Sequence, residues 1–197
     1  MARAFHRLIP RKQVIWFTDL TEIDSDGFFM PDNLKIQRFD SIEEIDSKDL
    51  KKLTECGTEL MGSAGSNLIR ERFKKGAVLC LYKENDKLAG YCWTIVKKHI
   101  RPPYLPHTET DVHFFGTEIF PGFRGGYLFR LFDEGTKIIY KKEGVKRYYS
   151  ETYLYNKRAL KAIFKTSARK IGIATRFSIF GKNVVIWHDM TSKTNFL

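Results

Sequence analysis

The chain has 197 residues, 43% of them apolar, with sixteen Phe and nine Tyr, which suits one domain with a substantial core. No run of about 18 apolar residues occurs, so no membrane span is expected; the basic start, Met1 to Gln13, lacks the apolar stretch of a secretory signal; and Cys56, Cys80 and Cys92 share no CxxC spacing, against a disulfide framework or structural zinc and in favour of a reducing cytoplasm. The net charge of +11 favours anionic partners, but the basic groups (Lys51-Lys52, Lys74-Lys75, Lys97-Lys98, Lys141-Lys142) are short and scattered, so charge alone selects none.

Val14 to Asp19 is a β-branched, aromatic run and reads as a strand; Thr21 to Asn33 is a polar loop, and Lys35 to Phe39 alternates as a strand does. Ser41 followed by Glu44 has the spacing of a capping box. It predicts a helix with Ile42, Ile45, Leu50 and Leu53 buried, and a second helix follows over Asn67 to Lys74. Ala77 to Tyr82 and Leu88 to Val96 read as a hairpin around a loop of about five residues. Lys97 to Thr110 holds three prolines and reads as an irregular loop.

Val112 to Ile119 is the next strand, and Pro121 to Gly126 a tight turn. Leu128, Leu131, Phe132, Ile138 and Ile139 then share one helical face, ended by Gly144. Lys146 to Tyr153 is a strand. Asn156 starts a helix with Leu160, Ile163, Phe164, Ser167 and Ile171 inward, stopped by Gly172. Arg176 to Phe180 and Val184 to Trp187 close the order as two strands. The result is an α/β (α+β) fold: a mixed, mostly antiparallel sheet with helices on both faces. Residues 1–34 are expected to be an extension packed on a domain of residues 35–197.

The segment from Val112 to Glu143 carries the chemistry. A strand leads through Ile119-Phe120-Pro121-Gly122-Phe123-Arg124-Gly125-Gly126-Tyr127 to a helix opening at Leu128. Glycines permit a sharp turn. The free amides and dipole of a helix N-terminus favour an anion, and Arg124 adds a fork suited to phosphate. Together these features have the physics of a pyrophosphate cradle.

In this segment the sequence resembles the GNAT acyl-CoA N-acyltransferases. Ile119-Phe120-Pro121 is similar to the family's Val-x-Pro strand end, and Arg124-Gly125 to the start of its Arg/Gln-x-x-Gly-x-Gly/Ala turn. Leu88-Ala89-Gly90-Tyr91 resembles its third strand, Asn156-Lys157-Arg158-Ala159 its Asn-x-x-Ala helix start, and Lys170-Ile171-Gly172-Ile173 its helix close. The family's two downstream glycines fall on Tyr127 and Phe129, and the Tyr that many members carry seven residues after the Asn is Ile163.

The resemblance implies a sheet with splayed central strands and transfer of an acetyl group from acetyl-CoA, without a metal, directly to the primary amine of a small molecule. It implies cofactor contacts from Ile119, Phe120, Arg124, Gly125, Gly126, Tyr127, Leu128 and Asn156. The base that frees the amine is then Glu118, His113 or Glu151, or else a water or no dedicated base. Glu118 and His113 have opposite strand parity, so one of them is expected to face the substrate. Tyr153 or Tyr155 is placed to protonate the leaving thiolate. In the Lys97 to Thr110 loop, Arg101, Tyr104 and His107 suit an acceptor bearing phosphate or carboxylate, such as a nucleotide-linked amino sugar. A homodimer stays open. Two rivals remain: the same fold repurposed for another ligand or partner, and a basic nucleic-acid-binding protein, which lacks any helix-turn-helix, zinc or RNP pattern.

Overall fold

The computed structural model describes residues 11–61, 65–96, 108–125, 127–179 and 182–188. These form eight strands, β1 (Arg11–Asp19), β2 (Leu34–Phe39), β3 (Val78–Glu84), β4 (Lys87–Val96), β5 (Asp111–Ile119), β6 (Arg147–Tyr153), β7 (Arg169–Ile179) and β8 (Lys182–His188). Four α-helices accompany them: α1 (Ser47–Met61), α2 (Gly65–Lys74), α3 (Leu128–Lys142) and α4 (Lys157–Ile163). One sheet runs β2-β3-β4-β5-β6-β1-β7-β8. The β5–β6 pair is parallel and the others are antiparallel. No helix among the described residues is long and apolar enough to cross a membrane.

Period-2 alternation sorts the side chains onto two faces. On one, Cys80 and Tyr82 of β3, Cys92 of β4, Val112 and Phe114 of β5 and Tyr148 of β6 pack under Leu128, Phe132 and Tyr140 of α3. Tyr82 stacks flat on Phe132, ring centroids 4.4 Å apart. On the other face, Leu79, Leu81, Tyr91, Trp93 and Ile95 meet Leu53 of α1 and Ile69 of α2. Helices thus cover both faces, as the element order implies. Cys80 and Cys92 are free and buried, while the side chain of Cys56 lies outside the described residues.

Four expectations change. The segment assigned to an extension contains β1, which is an interior strand between β6 and β7; Ile15 and Trp16 are core residues. The capping box is half formed. Ser41 Oγ donates to Glu44 at 3.4 Å and Asp40 N donates to the same carboxylate at 3.1 Å, but the chain makes only a 3-10 turn, Ile42–Glu44, and Ile45 is extended. Asp46 is the residue that starts α1, accepting from the amides of Lys48 and Asp49. The β3–β4 loop is two residues, because Asn85 and Asp86 both adopt positive φ, +50° and +58°, the type I′ geometry that matches strand twist.

The helix begun at Asn156 ends at Ile163 and does not reach Ile171. Thr166 and Ser167 divert the chain: Thr166 Oγ1 bonds back to the Ile163 carbonyl, and both the amide and hydroxyl of Ser167 go to Glu134 on α3. From Arg169 onward the chain pairs with β1, and Lys170 to Ile173 are strand residues. The segment that resembles a helix close is therefore the start of β7.

Candidate active site

The site is built where β5 and β6 part. Their parallel pairing runs from Asp111↔Arg147 to Phe114↔Ser150 and stops, although β5 continues to Ile119 and β6 to Tyr153. The paired end is fastened by Arg147, whose Nε and Nη2 donate to the two Asp111 carboxylate oxygens at 2.7 and 2.9 Å. Beyond Phe114 the inner edges of both strands face a gap.

A bulge shapes the wall on the β5 side. Trp93 pairs with Phe115 and Tyr91 with Glu118, so Cys92 alone stands opposite Gly116 and Thr117. Gly116 has φ +59°, and a Cβ there would meet the Arg72 guanidinium at 3.0 Å. That guanidinium lies over the Trp93 and Phe115 rings, and burial holds its pKa below the ordinary value. The extra residue reverses strand parity. Directly paired residues share a face, so Phe115 and Glu118 lie on the face of Trp93 and Tyr91, as does His113 opposite Ile95. The expectation that Glu118 and His113 face opposite ways fails for this reason.

Where the strands separate, His113 Nε2 lies 2.8 Å from Glu151 Oε2. The imidazole is 2% exposed and stacks on Phe115, centroids 5.4 Å apart. The pair bridges the gap at its narrow end: His113 belongs to the paired rung with Tyr149, and Glu151 is the first residue past Ser150.

At the other end of β5, Phe120 N donates to Ala89 O at 2.9 Å, and a 3-10 turn over Pro121–Phe123 redirects the chain. Gly125 follows with φ +91°, and among the described residues no atom beyond its chain neighbours lies within 4 Å of the place a Cβ would take there. Then α3 begins, its N-cap Tyr127 making no side-chain cap bond. The first amides of any α-helix lack an intrahelical acceptor, so those of Leu128, Phe129 and Arg130 point toward the turn.

No family model matches the sequence, and no curated protein matches it. Solved structures do. A GNAT-family protein from Novosphingobium aromaticivorans aligns with a TM-score of 0.54 and 12% identity, over 85% of this chain and 63% of its own. A GCN5-related N-acetyltransferase from Sphaerobacter thermophilus gives 0.54 and 15%, over 86% of this chain and 51% of its own. A tandem GNAT protein from the clavulanic acid biosynthesis pathway gives 0.53 and 14%, over 86% and 54%. The chain has the GNAT fold. It spans between 51% and 63% of the length of these three structures, and at such identities the likeness speaks for architecture alone.

Within the GNAT frame the expected site residues are distributed as follows. Ile119 ends β5 opposite Gly90, where an added methyl would lie 2.4 Å from the Glu118 carbonyl oxygen; this close approach accounts for the glycine in Leu88-Ala89-Gly90-Tyr91. Arg124 folds back, Nε donating to Ile119 O at 2.8 Å and Nη2 to Glu118 Oε1 at 2.5 Å. Phe120 and Leu128 put their side chains into the core, so only their backbone borders the turn. Tyr127 is 60% exposed and its ring faces solvent. Asn156 Oδ1 accepts from Ala159 N at 3.1 Å and caps α4. Tyr155 is exposed and stacks on Tyr153, centroids 5.1 Å apart. Gly126, Arg101, Tyr104 and His107 lie outside the described residues.

Sequence reasoning missed Gly116 and Arg72, which form the bulge and its cover. The available signal was a glycine inside an otherwise β-branched and aromatic strand. A separate cavity of about 360 Å³, lined by Thr18, Asp19, Glu22, Asp24, Glu134 and Arg169 among others, lies at the fastened end of β6, where Asp19 pairs with Arg147. It is away from the opening.

Proposed function

We propose that the chain is an acetyl-CoA-dependent N-acetyltransferase acting on a primary amine of a small molecule, the two substrates meeting in a ternary complex. The observation that carries this reading is the parting of β5 and β6 beside the His113–Glu151 pair. The residues present suit the cofactor. Gly125 leaves the turn open, the first α3 amides lack an intrahelical acceptor, and the gap offers the strand edge at Phe115–Ile119 as a partner for a pantetheine arm. The α3 amides, Gly125, Gly126 and Arg124 would hold the diphosphate, and Ile119 and Asn156 would border the arm. Bound acetyl-CoA supplies a thioester whose acyl carbon a neutral amine attacks.

The chain's own part is to remove a proton and hold geometry. Glu151 accepts a hydrogen bond from His113 Nε2, which fixes the ring. The His113–Glu151 pair takes the proton the acceptor ammonium must lose, through the Glu151 carboxylate, the more exposed of the two at 17% against 3%. The stacked Phe115 ring and the near-complete burial of His113 keep bulk water from the imidazole. Tyr155, on the turn before α4, carries the hydroxyl assigned to the leaving thiolate. An acceptor bearing phosphate or carboxylate, such as a nucleotide-linked amino sugar, belongs to the same proposal through Arg101, Tyr104 and His107, with the reaction in the cytoplasm.

The first test is thermal unfolding with acetyl-CoA, where ligand at 100 times its dissociation constant stabilises by about 2.7 kcal/mol. The second is thiol release with neutral and anionic amines, the anionic set being preferred. No shift with any acyl-CoA would favour a GNAT-fold domain repurposed for another ligand. A steep salt-dependent affinity for RNA or DNA would favour the nucleic-acid reading.

A further inference from the structure

Arg124 stands where a phosphate-binding guanidinium belongs, yet its fork is already engaged at the end of β5. Nη2 donates to Glu118 Oε1 at 2.5 Å and Nε to the Ile119 carbonyl at 2.8 Å. Glu118 is an odd residue for this place. A carboxylate beside a site for a multiply charged anion repels that anion. Its reach is set by the Gly116–Thr117 bulge, since without the extra residue strand parity would send it to the other face. The geometry therefore spends a bulge on presenting a negative charge to Arg124.

We propose that Glu118 is an internal stand-in for the diphosphate: it holds Arg124 in the empty site and yields it when coenzyme A arrives, so its carboxylate is uncovered only in the loaded site. This rests on the acyltransferase reading. The pair is partly solvated, with side chains 47% and 23% exposed, and such pairs are weak, about 0.2–1 kcal/mol. A diphosphate can present two oxygens to the same planar fork and displaces it readily. The uncovered Glu118 then supplies a counter-charge for an acceptor ammonium on the face it shares with His113. Because coupling between two ligands is reciprocal, the acceptor and coenzyme A strengthen each other's binding.

The test is calorimetric titration of coenzyme A and of pantetheine, which lacks the diphosphate, into the wild-type chain, Glu118→Gln, Arg124→Ala and the double variant. Glu118→Gln should tighten coenzyme A by about two- to fivefold, the weight of an exposed ion pair, and leave pantetheine unchanged. In the Arg124→Ala background the gain should vanish. A Glu118→Gln variant that binds no tighter, or gains equally without Arg124, overturns the proposal; the second outcome would be plain charge repulsion. A wild-type chain that fails to bind coenzyme A sinks the acyltransferase reading instead. Should Glu118→Gln not fold, the wild-type Arg124 Nε–H resonance decides: it moves on adding coenzyme A but not pantetheine, and a resonance unmoved by both overturns the proposal.

Discussion

Two glycines in the turn before α3 offer a matched perturbation. Gly122 and Gly125 both have open space around a would-be methyl, but only Gly125 sits at positive φ, +91°. Alanine at 122 meets no atom and no backbone penalty, and its smaller unfolded-state entropy makes it neutral or slightly stabilising. Alanine at 125 must carry a side chain in a conformation that costs L-residues about 1–2 kcal/mol. If the turn keeps its shape, Gly125→Ala lowers unfolding stability by that amount. If the turn relaxes instead, the same energy is withdrawn from ligand binding, and at 1.4 kcal/mol per decade coenzyme A weakens by about 5- to 30-fold. Denaturant unfolding and calorimetric titration, run on both variants, cover the two cases. A Gly125→Ala chain matching Gly122→Ala in both stability and coenzyme A affinity would refute the argument that this turn shape is needed.

Three further outcomes follow from the packing around the gap. Glu151→Gln should lower kcat/KM by about 10²–10⁴, the range of general base catalysis, with coenzyme A affinity unchanged by titration; His113→Gln, which removes only the partner of that carboxylate, should cost less. Gly90→Ala pushes a methyl to 2.4 Å from the Glu118 carbonyl oxygen and should destabilise by about 1–3 kcal/mol in denaturant, as overpacking does. Burial raises the phenols of Tyr82, Tyr140, Tyr148 and Tyr149, the last to about 12. The folded state thus favours their protonated form; this stability is complete below the unfolded value near 10 and is lost as pH rises through the folded values. Phenolate absorbance should show these four still protonated at pH 10 in the folded chain, and phenolate absorbance there equal to that of all nine tyrosines would count against it.

What is legible in the sequence is local. Alternation marks β2, apolar runs on either side of a turn mark the hairpin, the apolar period marks α3, and the Pro-Gly-Phe-Arg-Gly run marks the turn between β5 and its helix. The failures come where distant chain decides local shape. Thr166 and Ser167 end α4 because Glu134, 33 residues away, takes both polar groups of Ser167, and because β1 claims the chain from Arg169 on. Strand parity counted straight through Gly116 puts Glu118 on the wrong face, because the bulge there adds a residue. His113 and Glu151, 38 residues apart, are separate candidates for one role in the sequence and become a single unit only through the parallel register of β5 and β6.

The largest misreading, residues 1–34 as an appendage, bears directly on the site. A gap between two strands is useful only if each strand is held from its far side. On the β5 side, β4 pairs through Tyr91↔Glu118 to Gly90↔Ile119, well past the parting. On the β6 side the corresponding support is β1, which pairs along the whole strand from Asp19↔Arg147 to Gln13↔Tyr153. Leu154 N adds a bond to Lys12 O at 2.9 Å beyond the last pair. The opening is therefore preformed, and a pantetheine arm entering it would break no strand pairing, which keeps the ordering cost of binding low. Without β1, the segment from Glu151 to Tyr153 would have a free edge on both sides and could collapse toward β5. The N-terminal strand is thus the outer brace of the gap, and the carboxylate of Glu151 meets His113 because β1 fixes the strand that carries it.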